Sequence, residues 1–139
     1  MRPELAVEIT LRPAFHDIDP MDVVWHGHYL KYFELARCAL LKRFNFDYPQ
    51  MRESGFVWPV VDLRVKYVRP ARFDQPLRVH AQIVEWEHRL VIDYVILDAV
   101  CGEVVTRGHS TQVAVSASTG ELCLISPPIL IERLGVGLS

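Results

Sequence analysis

Cysteine is scarce in this chain: Cys38, Cys101 and Cys123 are odd in number and far apart. No Cys-x-x-Cys pair occurs, which argues against a zinc knuckle and against a disulfide framework. Reduced thiols in a cytoplasmic protein are the expectation. No apolar run approaches the roughly 20 residues that a membrane-spanning helix needs. The first ten residues, interrupted by Arg2, Glu4 and Glu8, form no signal-peptide core. An excess of positive charge is missing as well: 15 Lys and Arg stand against 17 Asp and Glu, a net charge of -2. That balance is unlike a nucleic-acid binder's. Repeats, low-complexity tracts and linkers rich in Gly, Ser or Pro are also absent.

What is present is apolar material. Half of the 139 residues are hydrophobic, enough for one domain over 1–139 and for a buried subunit interface besides. From Leu5 to Phe15 apolar residues alternate with Glu8, Thr10 and Arg12, the period of a strand. A polar turn, Asp17 to Asp22, follows. Tyr29 to Phe44 contains no Gly or Pro and is apolar at nearly every other position. This predicts a long helix, buried almost all round and wet along one narrow stripe of Lys31, Glu34, Arg37, Lys42 and Arg43.

Beyond a short helical piece at Tyr48–Ser54, strands are expected near Trp58–Tyr67, Leu77–Glu87, Leu90–Ala99 and Val104–Val115, with a weaker one at Leu122–Ile125. Leu90 to Leu97 is apolar at both parities, which suits the middle of a sheet covered on both faces. Pro127-Pro128 introduces a short closing helix through Leu134. Trp58 and Trp86 are expected to pack in the core or an interface. The layout is α+β: an antiparallel sheet of about five or six strands wrapped around one long central helix.

Taken alone, Asp17, Asp19 and Asp22 read as turn formers and helix caps. His26 and His28 stand two apart with no third ligand placed by spacing, so no metal is expected.

Two stretches carry a resemblance. Phe15-His16-Asp17-Ile18-Asp19-Pro20-Met21-Asp22 through Trp25-His26-Gly27-His28-Tyr29 to Arg37 resembles the opening motif of the 4-hydroxybenzoyl-CoA thioesterase-like hotdog family, nearest to its YbgC-type acyl-CoA thioester hydrolases. Val65 to Leu77, with Arg69-Pro70-Ala71-Arg72 inside, is similar to a paired-strand segment of the same family.

The resemblance implies the hotdog fold, hydrolysis of an acyl-CoA thioester, Asp19 as the catalytic carboxylate and the backbone N–H of His26 as the donor to the carbonyl oxygen. It also implies a homodimer or homotetramer with the site between subunits. No cofactor is implied beyond the coenzyme A of the substrate. The sequence departs from the family pattern at Asp22, where a glycine is usual, and at His28, where a small or amide residue is usual. Glu34, on the central helix, is the rival carboxylate, although pairing with Lys31 or Arg37 explains it.

Such chemistry needs a base or nucleophile on one face of the carbonyl and a donor for the developing oxyanion. A carboxylate just before a helix, beside that helix's free N–H groups, supplies both. Trp25 and Tyr29 are candidate substrate contacts. Arg69, Arg72 and Arg89, with Lys66, are candidate partners for the phosphates of coenzyme A. Two alternatives stay open: a thioesterase acting on an acyl carrier protein in fatty-acid or polyketide assembly, or a non-enzymatic acyl-binding hotdog protein.

Overall fold

Alternating burial along Leu77–Glu85 and near-continuous burial along Leu90–Asp98 mark two strands that need an apolar layer, and the fold supplies one. The computed structural model describes residues 3–136. The ends of the expected 1–139 domain therefore lie outside the described residues.

Strand β1 (Ala6–Leu11) leads through a long connection to helix α1 (Tyr29–Lys42) and the short α2 (Tyr48–Glu53). Then come β2 (Phe56–Val57), β3 (Val60–Tyr67), β4 (Leu77–Glu85), β5 (Leu90–Asp98), β6 (Val104–Gln112), β7 (Val115–Ser116) and α3 (Pro128–Leu134). Five strands form one antiparallel sheet in the order β1-β4-β5-β6-β3, while β2 and β7 pair separately. The strand that is apolar at both parities, β5, is the central one of the five, as its sequence requires.

Helix α1 packs across β4 and β1. Tyr29, Tyr32, Phe33, Ala36, Arg37, Leu40 and Leu41 are its buried residues, spaced as one helical face. All but Arg37 meet Val79, Ala81 and Ile83 of β4 and Leu90, Ile92, Tyr94 and Ile96 of β5 in one core. Phe33 stacks on Tyr94 with ring centroids 4.6 Å apart. Gly108 lies opposite Tyr94 in the register. A Cβ there would run into the Phe33 ring, so β6 carries glycine where that ring packs against it.

Three expectations need correction. The helix is not buried all round: Leu30 and Leu35 are exposed, and Arg37, counted among the wet residues, is buried. The sheet covers α1 from one side, and Leu30, Lys31, Glu34 and Leu35 face outward. Leu122–Ile125 is no strand; it makes a single bridge, Leu122 to Val115, and exposes Leu124 and Ile125. Strand β1 stops at Leu11 rather than continuing to Phe15, because Pro13 has no N–H to donate to a ladder. Trp58 and Trp86 are buried.

The edges of the sheet differ. Among the described residues strand β3 pairs only with β6, and seven of its eight residues are exposed. Val61 is 57% exposed and Leu63 is 40% exposed. An open strand edge with bare apolar side chains is a surface that proteins normally cover.

Candidate active site

The connection between β1 and α1 is ordered by its own hydrogen bonds. Ile18 bridges Val24, and the Asp19 N–H donates to the Val23 carbonyl at 2.9 Å. The Asp22 N–H donates to the Asp19 carbonyl at 2.9 Å. This is a three-residue hairpin loop, Pro20-Met21-Asp22, whose last residue must turn left-handed. Asp22 has φ 66°. That conformation explains why glycine is usual here in the family that the motif resembles. An aspartate tolerates it better than most side chains.

Asp19 is partly buried, and its two oxygens differ. Oδ1 accepts the Met21 N–H at 2.8 Å, the turn-forming bond of an aspartate at such a position. Oδ2 has no donor among the described residues. One carboxylate therefore shapes the turn with one oxygen and keeps the other available.

After the hairpin, the Val24 N–H donates to the Ala71 carbonyl at 2.8 Å, and the Ala71 N–H donates to the Tyr29 hydroxyl at 2.9 Å. The segment after β3 thus locks the start of α1. His26–His28 form a 3-10 turn leading into that helix. Among the described residues the N–H groups of His26 and Gly27 find no acceptor, as expected at a helix entry. Burial raises the Tyr29 hydroxyl above the ordinary tyrosine range, and nearby Tyr67 and Asp19 add to the shift against the opposing Ala71 bond. It stays a neutral hydroxyl.

Asp19, His26 and Tyr29 share the wall of a cavity of about 260 Å³ with Tyr67, Val68 and Arg69. The expected site residues distribute unevenly around it. Asp19, His26, Tyr29 and Arg69 line it. Arg69 lies at its rim, its Nε 3.1 Å from Glu103 and its Nη1 3.0 Å from the Val104 carbonyl. Arg72 stands beside the hairpin, its Nη1 3.5 Å from the Asp22 carbonyl. Trp25 flanks the wall: its ring lies 5.0 Å from that of His26 and 5.2 Å from that of His28. It also occupies the place where a Cβ on Gly27 would go.

Arg89 is elsewhere. It follows β4 and pairs with Glu85 at 3.1 Å, at the end of the sheet opposite Leu11, Leu77 and Tyr67. Nine residues of strand separate the ends, roughly 30 Å. Lys66 is on the outer sheet face, opposite Arg107 in the register.

Sequence reasoning passed over Tyr67. Its hydroxyl donates to the His26 carbonyl at 2.7 Å, and its ring lies 5.4 Å from that of Tyr29. It sits inside the second motif, but nothing local marks a residue that reaches 41 positions back. Glu34 lies away from this cavity, lining a second one of about 440 Å³ with Leu11, Arg12, Asp17, Lys31 and Cys38. It is 4.0 Å from Arg37, while Lys31 turns instead to Asp17 at 2.8 Å. Among the described residues no group of three His, Cys, Asp or Glu side chains could hold a metal ion, and no helix is long and apolar enough to cross a membrane.

Comparison with known proteins agrees with this architecture. Residues 13–132 match the family model of the thioesterase-like superfamily. A Bacillus subtilis protein named as a candidate acyl-CoA thioesterase, YneP, is 32% identical over 78% of this chain and 77% of its own length. The acyl-CoA thioester hydrolase YbgC of Escherichia coli O6:H1 is 29% identical over 52% of this chain and 54% of its own. Among solved structures, a DHNA-CoA thioesterase from Staphylococcus aureus superimposes with a TM-score of 0.78 at 25% identity, over 86% of this chain and 80% of that one. The five-stranded antiparallel sheet against one long helix is the hotdog fold, and the chain belongs to the thioesterase-like superfamily.

Proposed function

We propose that this protein hydrolyses an acyl-CoA thioester to the free acid and CoA. The observation that carries the reading is the meeting, in one cavity, of the Asp19 carboxylate and His26 at the entry to α1. The acyl-CoA thioesterase names of YneP and YbgC, and the DHNA-CoA thioesterase name of the Staphylococcus aureus neighbour, support a CoA thioester as the substrate class.

In this reading the thioester carbonyl lies between the free Oδ2 of Asp19 and the N–H of His26. The amide, aided by the positive end of α1, stabilises the oxyanion. Asp19 acts in one of two ways. As nucleophile it attacks the carbonyl carbon, expels the CoA thiolate and leaves a mixed anhydride that water cleaves. As general base it takes a proton from a water molecule that attacks instead. In both, the thiolate takes up a proton and no cofactor takes part. In this reading Arg69, at the rim, and Arg72, beside the hairpin, meet phosphate groups of coenzyme A.

The exposed β3 edge supports a homodimer in which a second copy covers Val61 and Leu63 and closes the cavity beside Tyr67. Thiol release from short, long and aromatic acyl-CoAs, run beside the Asp19→Asn variant, tests the reading. Turnover by the parent and its loss by about 10³-fold or more in the variant is the expected result. Absence of release from every ester would sink it.

A further inference from the structure

Two residues before Asp19, Asp17 holds a buried carboxylate that the proposed chemistry does not use. Its residue is 4% exposed, although it borders the second, open cavity. Both oxygens are occupied. Oδ1 accepts the Lys31 ammonium at 2.8 Å. Oδ2 accepts the Tyr32 hydroxyl at 2.9 Å and the Ala14 N–H at 3.0 Å. The exposed His16 ring nitrogen is 3.7 Å from Oδ1. The main chain of Asp17 is engaged too: its N–H donates to the Ala14 carbonyl at 3.0 Å and its carbonyl accepts the Trp25 N–H at 2.9 Å.

These bonds join three pieces of chain. Ala14 belongs to the limb entering the hairpin, Trp25 to the limb leaving it, and Lys31 and Tyr32 to the first turn of α1. The base of the Asp19 hairpin is thereby tied to the very helix whose entry carries His26. A hairpin hung between β1 and α1 without that tie could tilt, and a shift of about 1 Å at a reacting group is costly in rate.

We infer that Asp17 is a positioning residue, whose carboxylate, clamped by Lys31 and Tyr32, sets the distance between the Asp19 carboxylate and the N-terminal end of α1. The inference rests on the reading that Asp19 does the chemistry. Ordinary turn formation does not account for this carboxylate, because a turn needs only the Ala14 bond. Two donors from another element, one of them an ammonium, are more than the turn uses. Burial works to raise the Asp17 pKa, yet the Lys31 ammonium, the Ala14 N–H and the Tyr32 hydroxyl outweigh it and bring it to about 2. The clamp is thus charged throughout the neutral range.

The test is a double-mutant cycle on positions 17 and 19 with two readouts. In the acyl-CoA assay, Asp17→Asn is expected to lower kcat by about 10- to 100-fold with KM within about twofold, and to cost nothing further on the Asp19→Asn background. A merely structural residue would lower activity by the same factor on both backgrounds. Should Asp17→Asn fold poorly, Lys31→Met and Tyr32→Phe each remove one donor and are expected to give smaller losses of the same kind. The second readout is independent of substrate: amide hydrogen exchange at Asp19 and Trp25 is expected to speed up about 10-fold or more in Asp17→Asn, with β4 and β5 amides unchanged. Equal rate losses on both backgrounds, unchanged kcat in folded Asp17→Asn, or unchanged exchange at Asp19 would overturn the inference. A parent that cleaves no acyl-CoA would sink the functional reading instead, and the exchange measurement would still decide whether Asp17 holds the hairpin.

Discussion

The Tyr67 hydroxyl donates a 2.7 Å hydrogen bond to the carbonyl oxygen of His26. The last residue of the open edge strand is thereby tied to the first residue of the turn that begins α1. A peptide unit is planar, so holding that carbonyl fixes the His26–Gly27 peptide and restrains the His26 main chain, whose N–H is the proposed oxyanion donor. Tyr67→Phe keeps the ring and removes the tie. The expected effect is a fall in kcat of about threefold to tenfold with a stability loss of at most about 1 kcal/mol, since the bond is exposed. Steady-state kinetics beside a thermal melt measure both, and unchanged kcat would show that the tie does not serve the reaction.

The His26 main chain and side chain make opposite predictions. If the amide is the oxyanion donor, His26→Ala keeps it and retains most turnover, whereas His26→Pro removes it and loses about 10²- to 10³-fold in kcat. Proline is tolerable locally, because Trp25 has φ -59° and ψ 136°, the conformation favoured before proline. The reverse order of activities would move the role to the imidazole.

Acid should expose the Asp17 clamp. The folded-state pKa of about 2 lies below the ordinary 3.8, so the charged form is favoured by folding. Its contribution is fully present above about pH 4 and is lost as pH falls towards 2, amounting to about 2 kcal/mol. Urea unfolding of the parent and of Asp17→Asn at a series of pH values checks this. The gap between them is expected at pH 7 and should shrink below pH 4.

Gly108→Ala tests the fit of the Phe33 ring against β6. The added methyl meets the Phe33 ring, which is already stacked on Tyr94. A destabilisation of about 1–3 kcal/mol is expected. Gly108→Ala combined with Phe33→Leu should recover part of it. A Gly108→Ala protein as stable as the parent would mean that Phe33 moves aside.

The strands were readable because a strand's signal is local. Val79, Ala81 and Ile83 alternate with polar neighbours, and their burial follows that parity. Helix α1 was readable in extent but not in exposure. Composition counts apolar residues around a helix; it does not say that the sheet covers one side. Leu30 and Leu35 face outward, while Arg37 is buried with its Nη2 2.6 Å from the Tyr48 hydroxyl. Leu122–Ile125 has the residues of a strand, but past the single Leu122–Val115 bridge no neighbour among the described residues continues a ladder.

For the candidate site, the motif marked Asp19 and His26, and the polar run from Asp17 to Asp22 already predicted a turn. Which oxygen of Asp19 is left free, and that Asp22 turns left-handed, came from the folded loop. Arg89 looked like a phosphate contact because a charge in a turn is legible and its distance from the cavity is not. The alternation of side chains, the length of the helix and the identity of the turn are written in neighbouring residues, since each depends on contacts a few positions apart. The Tyr67–His26 tie, the Asp17–Lys31–Tyr32 clamp and the bare edge of β3 span many positions of chain. They exist only because the antiparallel register and the packing of α1 bring those groups within a hydrogen bond of one another, and leave β3 paired on one edge alone among the described residues.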